Sequence, residues 1–274
     1  MSNPAPTSAA GDIVTFATDG LPPHVAVITL NRPEARNAVN GAVATGLEAA
    51  VDRLEDDDEL WVGVLAANTE GQERPVFSAG ADLKVINAGD GLSISTERGG
   101  FAGFAYRDRR KPIIVAVDGL ATAGGCEIVL AADLVVASTR SSFGLAEVKR
   151  NLVAGAGGLF RLPRAIGRAA AMEAVLTAEP IPAERAYQLG LVSRLTEPGA
   201  ALDEALRLAE QITLNAPLAV WESRRVVHAA AGGADEAELR AMTDAAMSTV
   251  VQSADLAEGL TAFIEKRPPV WSGR

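Results

Sequence analysis

Residues 117–147 read VDGLATAGGCEIVLAADLVVASTRSSFGLAE, and this stretch decides the fold of the chain. It begins at the end of an apolar run, breaks at a glycine turn, and then reaches Gly124-Gly125 at the start of a strongly apolar helical segment. Two glycines at the start of a helix let another group approach backbone N–H donors that have no partner inside the helix. Those donors and the positive end of the helix dipole suit a developing oxyanion, although the same glycines also suit close helix packing.

Two acidic residues follow the two breaks in this otherwise apolar region. Glu127 falls in the first turn of the predicted helix, and Glu147 comes after a second apolar run and a turn at Gly144. Glu127 could simply complement the helix dipole, and Glu147, which precedes Lys149 and Arg150, could be a surface acid. The arrangement indicates a site, but alone it names no reaction.

A second glycine turn lies in FSAGADLK, residues 77–84. Ser78-Ala79-Gly80-Ala81 follows a predicted strand and is small enough for a ligand to lie along the backbone, although an ordinary turn between a strand and a helix has the same spacing. Motifs of other enzyme classes are absent from the sequence, which has no G-x-G-x-x-G after a strand, no G-x-x-x-x-G-K-[ST] and no G-x-S-x-G.

The composition argues against several classes of function. The chain has 274 residues, of which 48% are hydrophobic and 22% are charged, and its net charge is −10 at pH 7. An acidic balance argues against nucleic acid as a partner. A single cysteine, Cys126, excludes both an intrachain disulfide and a multi-cysteine zinc site. The sequence has only two histidines, so a His-rich metal centre is not expected either.

The order of apolar segments is typical of an α/β fold, in which helices pack against strands. Apolar, β-branched runs predict a hairpin at 13–16 and 25–30, and buried strands at 61–66 and 113–117. The glycine-rich segment 89–103 is weakly periodic, which predicts either a mobile lid or a broken helix.

The last part of the chain is mostly helical. Helices are predicted at 158–165, 168–177, 183–189, 202–214, 217–230, 236–251 and 254–266. The first residues, MSNPAPTSAAGD, lack the basic start and apolar centre of a signal peptide, and no run of about 18 apolar residues indicates a membrane span. We therefore expect a cytoplasmic protein without a membrane partner, divided into a disordered leader at 1–12, a core at 13–200 and a helical region at 201–274.

Five motifs in a fixed order carry a resemblance to a known family. They are RPEARNA at 32–38, FSAGADLK at 77–84, DGLATAGGCEIVLAADLVVAS at 118–138, FGLAEVKRNLVAGAGGLFRLPRAIG at 143–167 and AFIEKR at 262–267. Together they resemble the enoyl-CoA hydratase (crotonase) superfamily over nearly the whole chain. The resemblance implies a crotonase-like spiral of strand–strand–helix turns, with a C-terminal helical region that mediates assembly of trimers, commonly paired into hexamers.

The resemblance also implies the roles of four residues. By motif position, the backbone N–H groups of Ala81 and Gly124 polarise the carbonyl of an acyl-CoA thioester, and the two glutamates of family hydratases correspond to Glu127 and Glu147. The implied reaction is syn addition of water to a 2,3-double bond. Glu127 is assigned mainly to water orientation and base work, and Glu147 to protonation at C2. No metal or redox cofactor is implied, because the thioester and the oxyanion hole stabilise the enolate, and coenzyme A is part of the substrate.

Further positions match residues that approach coenzyme A in the family, some of them across a subunit interface. They are Ala35, Arg36, Ser78, Ala79, Asp82, Leu83, Lys84, Gly125, Phe263 and Lys266. The glycine-rich segment has no family signature, and Phe101, Phe104 and Tyr106 are its candidates for the acyl pocket. One departure is Ala123, which stands where many relatives have the first of three glycines. We expect an alanine there to be tolerated, because the implied donor is Gly124.

The sequence therefore predicts an enoyl-CoA hydratase that acts on a 2-enoyl-CoA, as a trimer or a dimer of trimers. The nearest alternative is an enoyl-CoA double-bond isomerase, which needs one well-placed acid rather than two. An alternative of another class is a non-catalytic acyl-CoA-binding or scaffold protein, which has no chemical need for both acids. The acyl group and the pathway, whether in fatty-acid, amino-acid or secondary metabolism, stay open.

Overall fold

The computed structural model describes residues 12–274, so the predicted leader at 1–12 lies outside the described residues except for Asp12. The strands are β1 (Val14–Ala17), β2 (Val25–Leu30), β3 (Val62–Ala67), β4 (Val76–Ser78), β5 (Ser95–Thr96), β6 (Gly100–Phe101), β7 (Ile113–Val117), β8 (Leu120–Thr122), β9 (Leu134–Ser138), β10 (Ser142–Gly144), β11 (Ile181–Pro182) and β12 (Arg194–Thr196). The α-helices are α1 (Gly41–Asp56), α2 (Leu83–Asn87), α3 (Gly124–Ala131), α4 (Gly158–Ile166), α5 (Arg168–Thr177), α6 (Ala183–Leu189), α7 (Ala201–Thr213), α8 (Pro217–Gly232), α9 (Glu236–Val251) and α10 (Ala254–Glu265). Short 3-10 helices lie at Pro33–Ala35, Gly91–Ile94 and Glu147–Arg150. Within residues 12–274, none of the helices combines the length and the apolar character needed to cross a membrane.

Two sheets form the centre of the molecule. The larger has the strand order β1-β2-β3-β7-β9-β12 and is parallel apart from the antiparallel β1–β2 pair, which is the predicted hairpin. The smaller has the order β11-β10-β8-β4 and is parallel apart from the β10–β11 pair. The predicted α/β class is confirmed.

The chain winds between these sheets as a spiral. Each turn places one strand in the larger sheet, the next strand in the smaller sheet, and then a helix. The successive turns are β3–β4–α2, β7–β8–α3 and β9–β10 followed by α4. Because the equivalent strands of neighbouring turns pair in parallel, the ends of β4 and β8 lie side by side.

The inner face of the larger sheet packs against α1. Asn40 caps this helix by accepting a hydrogen bond from Val43 N, and the helix buries Val43, Leu47, Val51 and Leu54 at helical spacing. All five residues of β7 are buried, which agrees with a parallel strand that is covered on both faces. The continuous apolar runs of the sequence therefore mark strands that are covered on both faces.

The outer face of the larger sheet is covered by α7, which buries Ala201, Ala205 and Ala209. Trp221 of α8 joins this second core, and its indole N–H donates to Trp61 O at 3.2 Å. The predicted helices of the C-terminal region are confirmed. The boundary at residue 200 and a role of region 201–274 in oligomer assembly stay predictions, and α7 itself packs as part of the core.

Segment 89–103 contains a short 3-10 helix followed by the hairpin of β5 and β6. It lies against α1, where Thr96 Oγ1 donates to Glu48 Oε1 at 2.7 Å and Arg98 pairs with Asp52 at 2.6 Å. A Cβ at Gly103 would lie 2.2 Å from Ala44 O, so this glycine permits the close approach. The sequence does not predict this hairpin, because its strands have only two residues each. A mobile lid stays a prediction.

Candidate active site

The first candidate oxyanion donor, Ala81 N–H, follows the end of β4. Ala81 forms a single parallel bridge with Val39, in which Val39 N donates to Gly80 O at 2.8 Å and Asp82 N donates to Val39 O at 2.9 Å. These bonds use the neighbours of Ala81, so its own N–H points away from Val39. It faces the side on which β8, the neighbour of β4 in the smaller sheet, leads into α3.

The second candidate donor, Gly124 N–H, opens α3 and has no acceptor inside the helix. A Cβ at Gly80 would lie 2.7 Å from Gly124 N, so the peptide between Gly80 and Ala81 rests against the start of α3. Among the hydrogen bonds of residues 12–274, neither Ala81 N nor Gly124 N has a protein acceptor. The structure thus brings together two unpaired backbone donors from different turns of the spiral.

Ala123 makes the turn that exposes Gly124 N–H. Its φ of 51° and ψ of −130° lie in a region that residues other than glycine rarely adopt. The conformation is held by hydrogen bonds on both sides, since Ala123 N donates to Gly144 O at 2.8 Å and Ala123 O accepts from Cys126 N at 2.9 Å. An alanine is accommodated here, but with backbone strain that typically costs about 1–3 kcal/mol.

Glu127 lies in the first turn of α3 with only 3% of its surface exposed. Its Oε1 accepts hydrogen bonds from Ala156 N at 2.7 Å and Gly158 N at 2.9 Å, and Oε2 has no partner among the described residues. Burial raises the pKa of Glu127, while the two N–H donors and the more distant Arg161 guanidinium oppose the rise. The carboxylate is therefore anchored through one oxygen and free at the other.

Glu147 opens the 3-10 helix that follows β10. Its Oε2 is buried and has no hydrogen-bond partner among the described residues. Burial is the main cause that raises the pKa of Glu147, and a hydrogen bond from its own backbone N–H opposes the rise. The nearby Glu127 carboxylate raises the pKa further, and the Arg150 charge opposes it. The two acids are close enough to interact, and Glu147 is the less solvated by protein donors.

Two of the three aromatic candidates for the acyl pocket border this site. A Cβ at Gly124 would lie 2.4 Å from Cζ of Phe101, so this ring covers the start of α3. Tyr106 is half exposed, and its hydroxyl donates to Gly155 O at 3.0 Å, next to the loop that binds Glu127. Phe104 is fully buried in the core and is not a pocket residue.

The early motif is joined to the strand that carries Ala81. Ala79 N donates to Arg36 O at 3.0 Å, and Arg32 pairs with Asp82 at 3.2 Å. Arg36 is exposed at the end of a 3-10 helix, next to the half-buried Ala35. These two, with the exposed Leu83 and Lys84 and the half-buried Ala79, surround one end of the site, and their contact with coenzyme A stays a prediction.

Three further predicted coenzyme A contacts make internal contacts, and their contact with coenzyme A stays a prediction. Ser78 is fully buried, and its hydroxyl donates to Asn37 O at 2.9 Å. Gly125 is packed against the strand, since a Cβ there would lie 2.2 Å from Ser78 O. Asp82 pairs with Arg32 and accepts from Lys84 N at the start of α2. The side chains of Ser78 and Asp82 bind other residues of the same chain. The sequence pattern does not distinguish such internal contacts from contacts with a ligand.

Phe263 and Lys266 lie at the C-terminal end of α10, apart from the elements that carry Ala81 and Gly124. Phe263 is 85% exposed, and α10 packs with α9. A contact with coenzyme A at the site of the same chain has no support in this placement. Contact with the site of a neighbouring subunit stays a prediction.

The loop at 155–158 is the part of the site that sequence analysis missed. It supplies both N–H donors to Glu127, and it is bound in turn by Arg161, whose guanidinium donates to Ala156 O at 3.0 Å. The sequence does contain a pattern that indicates this loop, because Gly157-Gly158 stands at the start of a helix, as Gly124-Gly125 does. Within residues 12–274 no cluster of three or more His, Cys, Asp or Glu side chains could hold a metal ion.

Comparisons with known proteins agree on one family. Residues 21–274 match the family model described as Enoyl-CoA hydratase/isomerase. The carnitinyl-CoA dehydratase of Salmonella paratyphi A is 38% identical over 251 residues, which are 90% of this chain and 94% of that protein. Among solved structures, an enoyl-CoA hydratase from Mycobacterium tuberculosis H37Rv is 45% identical with a TM-score of 0.88, over 96% of this chain and 100% of that chain. A carnitinyl-CoA hydratase from Mycobacterium avium is 41% identical with a TM-score of 0.74, over 96% and 99%.

Replacement of Ala123 by glycine should stabilise the protein. Relief of the positive-φ strain exceeds the extra chain entropy of glycine, so Ala123→Gly should raise the free energy of unfolding by about 1 kcal/mol in urea denaturation. The matched control is Ala121→Gly in β8, where the buried methyl group is lost from a regular strand and stability should fall by about 1 kcal/mol or more. Equal losses in both variants would contradict the strain at Ala123.

Replacement of Glu147 by glutamine should stabilise the protein only above acidic pH. Because the pKa of Glu147 is raised above its ordinary 4.5, the stability linked to its protonated form is complete below about pH 4.5 and is lost as the pH rises through the folded-state pKa. Glutamine carries no charge at any pH, so the melting temperature of Glu147→Gln relative to the wild type should rise from pH 4.5 towards pH 8. The exposed Glu184→Gln serves as a control. A difference that falls with pH, or one equal to that of the control, would contradict the burial of this carboxyl.

Proposed function

This chain belongs to the enoyl-CoA hydratase/isomerase family, and we propose that its reaction is the reversible syn addition of water to a 2-enoyl-CoA. It is an enzyme of the crotonase superfamily that acts on CoA thioesters. The observation that carries the proposal is the pair of interacting carboxyls, Glu127 and Glu147, beside two unpaired backbone donors. A hydratase needs both features.

The two backbone donors account for the activation of the substrate. The thioester oxygen of the bound substrate accepts hydrogen bonds from Ala81 N–H and Gly124 N–H, which draw electron density away from C3 and prepare it for attack. As water adds, the negative charge that develops on this oxygen strengthens both bonds. One well-placed oxyanion donor typically stabilises such a transition state by about 3 kcal/mol.

The different surroundings of the two carboxyls favour a division of labour. Glu127 accepts two N–H bonds at Oε1, which favours its ionised form and leaves Oε2 free to take a proton from water. The Oε2 atom of Glu147 is buried without a partner, which favours its protonated form. Glu127 is therefore the base, and Glu147 is the acid.

The addition needs no reactant besides water and the enoyl-CoA. The water oxygen bonds to C3 while one of its protons passes to Glu127, and the electron pair of the C2–C3 double bond moves into an enolate whose oxygen is held by Ala81 and Gly124. Glu147 gives its proton to C2, which restores the thioester carbonyl. Exchange of one proton between the two acids and solvent returns both to their starting states, and the reverse sequence is a dehydration.

The remaining features of the proposal concern the substrate and the assembly. Coenzyme A enters as part of the substrate, with Ala35, Arg36, Ala79, Leu83 and Lys84 as its predicted contacts, and no separate cofactor takes part. We retain the prediction of a trimer or a dimer of trimers in the cytoplasm. The net charge of −10 at pH 7 gives no reason to expect nucleic acid as a partner, and we retain the prediction that no membrane is a partner.

A second candidate substrate is a carnitinyl-CoA or its dehydrated form, because relatives of this chain are named carnitinyl-CoA dehydratase and carnitinyl-CoA hydratase. The chemistry at C2 and C3 is the same, but this acyl group carries a quaternary ammonium. Aromatic faces commonly bind such a group. Here the faces of Tyr106 and Phe160 already hold the Arg161 guanidinium, each at 5.3 Å, which adds positive charge at this end of the site. This arrangement favours an uncharged acyl group.

The test is the loss of conjugated enoyl-thioester absorbance with crotonyl-CoA and, in parallel, with crotonobetainyl-CoA. Wild-type protein should hydrate crotonyl-CoA faster, and Glu127→Gln and Glu147→Gln should each lower kcat by about 100-fold or more, because each removes a proton-transfer group. The exposed Glu184→Gln should retain wild-type activity.

Other outcomes separate the alternatives. Preference for crotonobetainyl-CoA would assign the carnitinyl substrate. Conversion of a 3-enoyl-CoA to the 2-enoyl isomer without hydration would assign the isomerase, and tight binding of CoA esters without any turnover would assign the binding protein. The first result would overturn the proposed preference for an uncharged acyl group, and either of the other two would overturn the proposed reaction.

A further inference from the structure

The loop at 155–158 holds the Glu127 carboxylate but is not part of a sheet or a helix interior. Its backbone N–H groups at Ala156 and Gly158 point to Glu127 Oε1. Gly157 has a φ of 102°, so the loop turns sharply before α4 begins. The position of the carboxylate therefore depends on what keeps the carbonyl side of this loop in place.

Arg161 binds the carbonyl side of the loop and links it to a second segment. Its guanidinium donates to Ala156 O at 3.0 Å through one nitrogen and to Ala105 O at 2.7 Å through another. Ala156 thus contacts Glu127 through its N–H and Arg161 through its carbonyl. Tyr106, next to Ala105, donates its hydroxyl to Gly155 O at 3.0 Å, so the segment after β6 and the loop are joined at two points.

The Arg161 guanidinium has aromatic neighbours but no acidic partner within ion-pair distance among the described residues. It lies 5.3 Å from the ring centres of both Tyr106 and Phe160. Burial lowers the pKa of Arg161, and the neighbouring arginines at 109 and 164 lower it further, against Tyr106 and Glu127. A half-buried positive charge without a carboxylate is costly, and such charges concentrate at functional sites.

We propose that Arg161 is a positioning residue of the hydration reaction, which acts on Glu127 through the shared residue Ala156. It clamps the loop at 155–158 to the segment that carries Ala105, so that the two N–H donors stay aimed at Glu127 Oε1 and Oε2 stays aimed at the water. Its charge also favours the ionised carboxylate. The role rests on the proposed hydration, in which Glu127 is the base.

The charged groups that face Glu127 set the sign of the expected pH effect. Glu147 faces it from the 3-10 helix after β10, and Arg161 faces it from α4, with the Cys126 thiol next to it on α3. Arg161 holds the pKa of Glu127 below the value that burial alone would give. Loss of this charge and of the clamp would therefore raise the pKa of the base, and the acid limb of the pH–rate profile would move to higher pH.

Three variants separate positioning from a merely structural role. Arg161→Met keeps the stem and removes the charge and both hydrogen bonds. Arg161→Lys keeps the charge but cannot reach both carbonyl groups in the same way. Arg164→Met is the matched control, because Arg164 stacks on Phe160 one turn along the same helix and donates to Gly232 O, away from the loop.

We expect Arg161→Met to lower kcat for crotonyl-CoA by at least about 10-fold, with KM changed by less than about 3-fold, because the base is misplaced while coenzyme A contacts are kept. The acid limb of kcat/KM should move up by about 0.5–1 pH unit. Arg161→Lys should keep the acid limb of the wild type with an intermediate kcat, and Arg164→Met should match the wild type. A wild-type kcat in Arg161→Met, or a reduced kcat with an unmoved acid limb, would overturn the proposal.

A measurement without turnover separates this proposal from the proposed function. Titration of the Glu127 carboxyl by ¹³C NMR, assigned by comparison with Glu127→Gln, should show a higher pKa in Arg161→Met than in the wild type. If the wild type fails to hydrate enoyl-CoA esters but the NMR shift is present, the reaction is wrong and the coupling of Arg161 to Glu127 stands. If hydration is observed but neither the NMR titration nor the acid limb moves, the role of Arg161 is wrong.

Discussion

The contact between the peptide of Gly80 and Ala81 and the first turn of α3 is the constraint on which the rest of the structure depends. A Cβ at Gly80 would lie 2.7 Å from Gly124 N, so strand end and helix start meet backbone to backbone. This contact requires β4 and β8 to be parallel neighbours, and the spiral supplies that by stacking successive turns. It also requires the strained turn at Ala123. The packing of two turns of the spiral therefore also brings the two N–H donors, those of Ala81 and Gly124, side by side.

The same packing encloses the acids, and their two environments differ in a way that chemistry can use. Burial raises the pKa of both Glu127 and Glu147. The loop at 155–158 offsets this for Glu127 with two N–H donors, whereas the buried Oε2 of Glu147 has none among the described residues. A fully satisfied pair would be more stable and less reactive. The unpaired buried Oε2 of Glu147 and the strained backbone of Ala123 both lie at the proposed substrate site, and such costly features commonly occur at functional sites.

Much of this could be predicted from the sequence, because strong local patterns coincide with the elements. Continuous β-branched runs mark the covered strands. Each of the two acids follows a glycine turn, since Glu127 comes after Gly124-Gly125 and Glu147 comes after Gly144. Long-range contacts could not be read in this way. The direction of Ala81 N–H follows from its bridge to Val39, and the burial of Ser78 follows from packing against Asn37. The link from Arg161 to Ala105 joins two segments far apart in the chain, and no local period announces it.

The most direct test of the central claim is the infrared frequency of the thioester carbonyl in bound butyryl-CoA, labelled with ¹³C at C1. This saturated ester cannot be hydrated, so the frequency reports polarisation by the donors alone. If Ala81 N–H and Gly124 N–H both bind the oxygen, the frequency is lower in the wild-type complex than in water, and Gly80→Ala, whose added Cβ would crowd Gly124 N, returns it towards the value in water. An unshifted frequency in a saturated wild-type complex would contradict the account, as would an equal shift in Gly80→Ala.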